Sequence, residues 1–148
     1  MKILIAASNM VHINNFHIPY INGLKSLGHD VRIMASGEGA DFDIPFQKRT
    51  FSVRNLMLIF KISKIINQEK FDIIYLNTTL AAFFVRLAVL GMKKRPYVVN
   101  TVHGFLFDEH TGFIKRKLYL ACEKILRRVT DNIVVMNSED MSVAARFN

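Results

Sequence analysis

Short apolar runs that alternate with longer helical patterns constrain the fold of this chain more than any other feature. A continuous apolar run is typical of a strand buried on both faces of a sheet, and strands that alternate with helices through short connections form a parallel sheet with helices on both faces. The sequence therefore predicts one α/β, Rossmann-like domain over residues 1–148. The predicted strands are "KILIAA" (2–7), "DVRIMA" (30–35), "IPFQKR" (44–49, at a sheet edge because of its proline), "FDIIYLN" (71–77), "YVVNTV" (97–102) and "DNIVVM" (131–136).

Helical segments are predicted between these strands. The first begins near Phe16, with Asn14 or Asn15 as its cap, and ends at Gly28. Further helices are predicted over 54–68, 79–90, 113–129 and 138–147. Amphipathic helices turn an apolar stripe towards the core. The predicted stripes are Leu56, Ile59, Phe60, Ser63 and Ile66 in one helix, and Ile114, Leu118, Cys122, Ile125 and Val129 in another.

Composition and charge restrict the class of protein. The chain has 148 residues, 51% of them hydrophobic, which suits one domain with a real core. Its single cysteine forms no disulfide within the chain, and this favours an intracellular protein. The net charge of +8 indicates an anionic partner, but nucleic acid is disfavoured because no long basic run or nucleic-acid-binding signature is present. The longest apolar stretch, 80–92, is too short to span a bilayer and contains Arg86.

Polar residues follow four of the predicted strands. In an open parallel sheet, ligands bind outside the carboxyl ends of the strands, so these residues meet at the ligand-binding edge. They are Ser8, Asn9 and His12 after the first strand, with Asn14 and Asn15 further along the same loop, then Asn77, Thr78 and Thr79, then His103 and Gly104, and finally Asn137 and Ser138.

His103 is the most specific of these residues, and two interpretations of it stay open. An imidazole at this edge can donate to a sugar hydroxyl or a phosphate oxygen, and Gly104 permits a close backbone approach. Alternatively, the ring only packs and bonds to a backbone carbonyl. The first loop contains neither G-x-G-x-x-G nor a P-loop, which disfavours classical dinucleotide binding, and no metal-binding motif is present.

Several segments together resemble a known family. They are "KILIAASNMVHINNFHIPYINGLKSLGHDVRIMA", "FDIIYLNTT", "VVNTVHGFLF" and "YLACEKILRRVTDNIVVMNSEDMSVA". The chain resembles the N-terminal, acceptor-side half of GT-B glycosyltransferases of the GT4 type, especially bacterial enzymes of capsular, exopolysaccharide or O-antigen synthesis. The resemblance implies retaining transfer from a nucleotide-sugar, expected to be a UDP-sugar, to a polyprenyl-diphosphate-linked saccharide, with no cofactor and no metal. No catalytic carboxylate is assigned.

The resemblance also implies roles for particular residues. His103 and Gly104 are expected beside the donor sugar in the interdomain cleft. The loop from Asn9 to Asn15 borders that cleft but lacks the Gly-Gly pair of many relatives. Asn77 and Thr78 are expected at acceptor contacts. The family's second domain, which binds the nucleotide and carries an E-x7-E motif, has no counterpart in this sequence. The chain is therefore expected to be half an enzyme, inactive until the C-terminal half or a partner subunit joins it.

Two basic segments have two interpretations. The helix over 113–129 includes Lys115, Arg116 and Lys117, and residues 48–70 add a second cluster. Such residues either form an ordinary solvated surface or bind the anionic inner face of the cytoplasmic membrane, and the family context favours the membrane. A noncatalytic subunit that recruits a separate glycosyltransferase to the membrane is the alternative function. A generic nucleotide-binding module is disfavoured by the missing glycine-rich turn.

Overall fold

One parallel sheet organises the chain. A computed structural model of the protein describes residues 1–47, 52–105 and 111–145. Six strands in these residues pair in parallel in the order β3-β2-β1-β4-β5-β6. The strands are β1 (Lys2–Asn9), β2 (Asp30–Ser36), β3 (Phe42–Asp43), β4 (Ile73–Leu76), β5 (Tyr97–Val102) and β6 (Asn132–Val135). The helices are α1 (Met10–Phe16), α2 (Ile18–Ser26), α3 (Val53–Glu69), α4 (Thr79–Val89), α5 (Phe113–Leu126), followed by a 3-10 turn (Arg127–Val129), and α6 (Ser138–Ala144).

Two apolar cores lie on opposite faces of the sheet. Alternate side chains of a strand point to opposite faces, so β1 contributes Leu4 and Ala6 to one core and Ile3 and Ile5 to the other. Helices α3, α4 and α5 cover the first face, whereas α1 and α2 cover the second. The predicted Rossmann-like sheet with helices on both faces is confirmed.

The first helical region differs from its prediction. Asn9, in an extended conformation, caps α1, and its side-chain oxygen accepts the N–H of His12 at 2.9 Å. The predicted caps Asn14 and Asn15 therefore lie inside a helix, and the segment predicted as a loop is α1. A second helix begins at Ile18, and Pro19 lies in its first turn. Proline is tolerated there because the first N–H groups of a helix have no acceptor within the helix, so the missing N–H of proline costs no hydrogen bond. Gly28, at φ 81°, ends this region as predicted.

The third strand was predicted too late. β3 covers only Phe42–Asp43, and the N–H of Ile44 still donates to Ala35 at 3.0 Å. Pro45 follows, and without an N–H it cannot continue the ladder. Residues 44–47 are therefore not a strand, and Lys48 and Arg49 lie outside the described residues.

The predicted apolar stripe of α3 was correct in part. Ile66 is buried and Ile59 packs against the core, but Leu56 and Phe60 are exposed, and the other buried residues are Asn55, Leu58 and Ile62. Asn55 fixes this rotation, because its amide exchanges two 2.9 Å hydrogen bonds with the backbone of Gln47.

The predicted stripe of α5 was also correct in part. Val129, in the turn after the helix, is buried and Cys122 packs against the core, whereas Ile114, Leu118 and Ile125 are exposed. The buried residues of α5 itself are Tyr119, Glu123 and Leu126.

A buried ion pair explains the rotation of α5. Arg86 of α4 donates from both terminal nitrogens to the two carboxylate oxygens of Glu123, each at 2.8 Å, and its Nε donates to Ala82. The two side chains are only 2% and 9% exposed. Charges are buried when they are paired and hydrogen-bonded, so α5 turns Glu123 inward at the expense of apolar neighbours. Along the described parts of the chain, no helix combines the length and apolarity that crossing a bilayer requires.

Candidate functional site

The ends of β1 and β4 are joined at the carboxyl edge of the sheet. The Thr78 hydroxyl accepts the backbone N–H of Ser8 at 2.8 Å and lies 2.7 Å from the Ser8 hydroxyl. Thr78 occupies the cap position of α4, but its side chain makes no capping bond there. The hydroxyl of Thr78, predicted as an acceptor contact, is thus already engaged in holding two strand ends together.

The turn after β5 is tied to the start of α4. The Thr79 hydroxyl donates to the carbonyl of Gly104 at 2.8 Å, which places the His103–Gly104 turn beside the first turn of that helix. Gly104 has φ 118°, a conformation that side-chain-bearing residues rarely adopt, although a Cβ there would meet no atom within 4 Å. Backbone conformation, and not crowding, requires glycine at this position.

Three histidines meet at this edge. The ring centroids of His12 and His103 lie 5.6 Å apart, and those of His12 and His17 lie 5.1 Å apart. His103 is exposed, whereas His17 is buried, and Nε2 of His12 and of His17 has no hydrogen-bond partner among the described residues. His12 follows β1 and His103 follows β5, so the sequence predicted that both lie at one edge of the sheet. His17 lies beside them because the chain breaks between α1 and α2, which the sequence did not indicate.

Burial favours the neutral form of two of these histidines. It lowers the pKa of His12 and of His17 below the usual 6.5. Charge on His103 lowers the pKa of His12 further, and charge on His12 and His103 lowers that of His17. A neutral imidazole offers one donor and one acceptor, which suits sugar hydroxyls. At neutral pH the edge therefore presents hydrogen-bonding groups without the positive charge of a histidinium pair.

We expect the stability of the chain to fall on mild acidification. Both pKa values are lower in the folded chain than in the unfolded chain. As the pH falls below 6.5, the unfolded chain therefore binds more protons than the folded chain. The free energy of unfolding is highest above pH 6.5 and decreases as the pH falls towards the folded-state pKa values. The melting temperature should thus decrease from about pH 7.5 to about pH 5.5. Asp131 does not contribute to the change in stability between pH 7.5 and 5.5, since its hydrogen bonds with Arg95 lower its pKa below 3.8.

The control is the double variant His12→Gln/His17→Gln, measured over the same pH range. It should melt with a flatter pH dependence, whatever its stability at pH 7.5. An unchanged slope would show that other groups cause the effect.

Buried amides add polar groups below the edge. Asn77 and Asn100 are 0% and 4% exposed, and the Oδ1 atom of each has no hydrogen-bond partner in the described residues. Asn77 uses its amide nitrogen to donate to Tyr75 O at 3.3 Å, and Thr101 donates to the Tyr75 hydroxyl at 3.0 Å. An unsatisfied buried carbonyl is costly, so these oxygens suit a water molecule or a ligand donor.

A groove of about 490 Å³ joins the edge to the sheet face. Its polar lining includes His17, Asn77, Thr101 and His103, and among the described residues no lysine or arginine lines it. Two predicted site residues, His103 and Asn77, thus line the same groove. Asn9 is occupied as a helix cap, and Asn14 and Asn15 are exposed on α1, outside the lining. The apolar part of the lining is Ile3, Ile5, Phe16, Leu24, Val134 and Met136, together with Tyr20 and Tyr75.

The predicted basic residues lie elsewhere. Lys115, Arg116 and Lys117 belong to α5, on the opposite face of the sheet from this groove. Lys115 and Lys117 are exposed, and the Lys117 ammonium lies 4.3 Å from the Phe113 ring centroid. Across the described ranges, no group of three or more His, Cys, Asp or Glu side chains is arranged to hold a metal ion.

Sheet order and polar edge together define the class. A parallel sheet with β1 at its centre and hydrogen-bonding residues gathered at its carboxyl edge is a Rossmann-like domain, a class in which ligands bind at that edge. Residues 20–146 match the family described as Glycosyltransferase Family 4. The chain belongs to this family, and the predicted resemblance is confirmed.

Individual relatives agree with the family. The chain is 30% identical over 146 residues to "Putative glycosyltransferase EpsD" of Bacillus subtilis (strain 168), covering 94% of this chain and 38% of that protein. It is 24% identical over 106 residues to the UDP-Gal:alpha-D-GlcNAc-diphosphoundecaprenol alpha-1,3-galactosyltransferase of Escherichia coli, covering 71% of this chain and 27% of that enzyme. The chain thus spans well under half the length of these relatives.

A solved structure supports the fold. UDP-GlcNAc 2-epimerase from Methanocaldococcus jannaschii superposes with a TM-score of 0.62 at 14% sequence identity, over 98% of this chain and 41% of the epimerase. At this identity the likeness concerns the fold alone.

Proposed function

We propose that the chain is the N-terminal, acceptor-side domain of a glycosyltransferase. The complete enzyme would transfer a sugar from a nucleotide-sugar to a lipid-linked saccharide in cell-surface polysaccharide synthesis. The observation that carries the proposal is the groove lined by His103, Asn77, His17 and Thr101, in a chain of glycosyltransferase family 4. The name of the Escherichia coli relative, which includes a UDP-sugar and a diphosphoundecaprenol acceptor, supports the substrate classes.

The chemistry of the groove favours sugar over diphosphate. Its polar groups are imidazole, amide and hydroxyl, and its lining, as far as the structure describes the chain, contains no lysine or arginine. Such groups pair with sugar hydroxyls, whereas a diphosphate is held by cationic side chains or by helix N-termini and glycine-rich turns. In this proposal, His103 and the Gly104 turn contact the donor sugar, and Asn77 lies towards the acceptor.

The nucleotide is assigned to a second half of the enzyme. This chain spans 38% and 27% of the two relatives, which leaves room in such proteins for a complete second domain. Transfer requires donor and acceptor in near-attack geometry inside a closed cleft, and one domain supplies only one wall of it. The proposed donor is a UDP-sugar, with no cofactor.

The chain alone is expected to fold but not to catalyse. Calorimetry with a panel of UDP- and GDP-sugars should give dissociation constants of about 1 mM or weaker, because few polar contacts offset the entropy of binding. Turnover should appear when a C-terminal family-4 half is supplied as a separate chain. Tight nucleotide-sugar binding, or repeated turnover by this chain alone, would refute the half-enzyme proposal.

The alternative function is a noncatalytic subunit that recruits a separate transferase. It predicts that a partner transferase is already active in detergent without this chain and gains rate only on membranes. The acceptor-domain proposal predicts that the supplied half is inactive in both conditions until this chain is added.

The proposed location is the inner face of the cytoplasmic membrane, bound peripherally. A polyprenyl-linked acceptor would reside there. Lys115 and Lys117, which are exposed, would face anionic lipid headgroups, and Arg116, which is half-buried, would add to the positive charge of the same helix. Each basic residue near such a surface contributes about 1 kcal/mol, so several together give reversible binding. The net charge of +8 supports the same location.

A further inference from the structure

Helix α5 has an apolar surface that faces away from the protein. Its members recur at steps of four, three and four residues and therefore form one stripe along the helix. We call this stripe, formed by Ile114, Leu118, Ala121 and Ile125, the outer ridge. The exposed fractions of Ile114, Leu118 and Ile125 are 84%, 49% and 46%, and Phe113 beside them is 70% exposed. The opposite side of α5 packs inward through Tyr119, Glu123 and Leu126.

Basic residues flank the outer ridge. Lys117 and Lys124 lie along one side of it and Lys115 lies along the other, and all three are exposed. The one acidic residue of α5 is Glu123, which is turned inward and paired with Arg86. The outward surface of this helix therefore combines apolar side chains with positive charge alone.

We infer that the outer ridge inserts into the boundary between headgroups and acyl chains of an anionic membrane. The inference rests on the membrane association proposed above and changes its nature from attraction by charge to insertion of α5. Helices that lie in a bilayer interface have this pattern, with a large apolar face and lysines whose stems reach from the apolar zone to the headgroups. Ile114, with most of its surface exposed, would be the most deeply inserted residue.

Charge decides between a lipid and a protein as the occupant of this surface. The centres of protein–protein interfaces are poor in lysine, whereas lysines beside an apolar stripe match an anionic lipid surface. The net charge of +8 acts in the same direction. The outer ridge is therefore assigned to lipid.

A tryptophan reporter tests the insertion directly, because the chain contains no tryptophan. In Ile114→Trp, vesicles containing phosphatidylglycerol should shift the emission to shorter wavelength, and lipids brominated on the acyl chain should quench it. The matched control is Leu27→Trp, at a residue that is 73% exposed at the end of α2, on the other face of the sheet. Its emission should not change. Vesicle-bound Ile114→Trp with unshifted, unquenched emission would overturn the insertion.

Two further variants separate insertion from charge. Ile114→Ser/Leu118→Ser should lower partitioning into anionic vesicles by about tenfold or more, since two apolar side chains leave the lipid, with an unchanged melting temperature. Lys115→Gln/Arg116→Gln/Lys117→Gln should weaken binding mainly at low salt. Undiminished binding of the serine variant would overturn the inference and leave the proposed membrane association intact. Absence of binding by the unmodified chain would overturn both.

Discussion

Replacing Glu123 with alanine is expected to lower the free energy of unfolding by about 3–5 kcal/mol. The Arg86 guanidinium, 2% exposed, donates to both oxygens of that carboxylate at 2.8 Å. Without Glu123 it would remain buried, with the Ala82 carbonyl as the partner of its Nε alone. A buried, uncompensated charge is among the most destabilising consequences of a single substitution.

Urea unfolding monitored by circular dichroism measures this loss. The matched control is Asp30→Ala, which removes an ion pair with Arg32 whose side chains are 46% and 44% exposed. It should lower the free energy of unfolding far less than Glu123→Ala does, because solvent screens an exposed pair. Removing both buried charges in Arg86→Met/Glu123→Leu should restore most of the stability, because an apolar pair of similar volume replaces an ion pair with little penalty. A loss below about 1 kcal/mol for Glu123→Ala would contradict the buried pair.

Replacing His103 with alanine is expected to slow sugar transfer by about 30- to 1000-fold in an enzyme reconstituted with a C-terminal half. This corresponds to about 2–4 kcal/mol of the activation barrier, the usual effect of removing one donor that strengthens its bond in the transition state. The ring is exposed at the edge, beside His12, so its removal creates no cavity in either core.

The readout is kcat together with the melting temperature. The fold should stay intact, and His103→Gln, which keeps a donor, should retain more activity than His103→Ala. The matched control is His29→Ala, at a histidine that lies directly before β2 and is not among the groove's lining residues. Equal rates for the unmodified chain and His103→Ala, with equal melting temperatures, would reduce His103 to a packing role.

The sheet could be predicted from sequence because of how parallel strands are buried. Both faces of β1 and β4 contact core residues, so these strands contain continuous apolar runs that stand out from the rest of the chain. Glycines and polar residues after each strand then mark the connections. The same burial pattern predicted that His103 and Asn77 lie at one edge of the sheet, and both line the groove there.

The predictions of which helix face is buried failed because these faces are set by interactions between residues far apart in the sequence. The rotation of α5 is set by a pair that is 37 residues apart, Arg86 and Glu123, and that of α3 by the amide of Asn55. When a helix has apolar residues on two sides, the periodicity of its sequence does not indicate which side faces the core. Likewise, His17 lies beside the other two histidines only because the helix breaks before Pro19. The segment contains three asparagines that could cap a helix, and the sequence did not indicate that Asn9 is the one that does.

Helix α4 connects the turn after β5 to helix α5. At its first turn Thr79 holds the carbonyl of Gly104, and two turns later Arg86 holds Glu123 of α5. Seven residues of helix span about 10 Å along the axis. If α5 lies in the membrane surface as proposed, this short rigid segment fixes the distance between that helix and the turn proposed to bind the donor sugar. This fixed distance, and not the reach of a flexible loop, would then limit how far from its lipid anchor an acceptor can be modified.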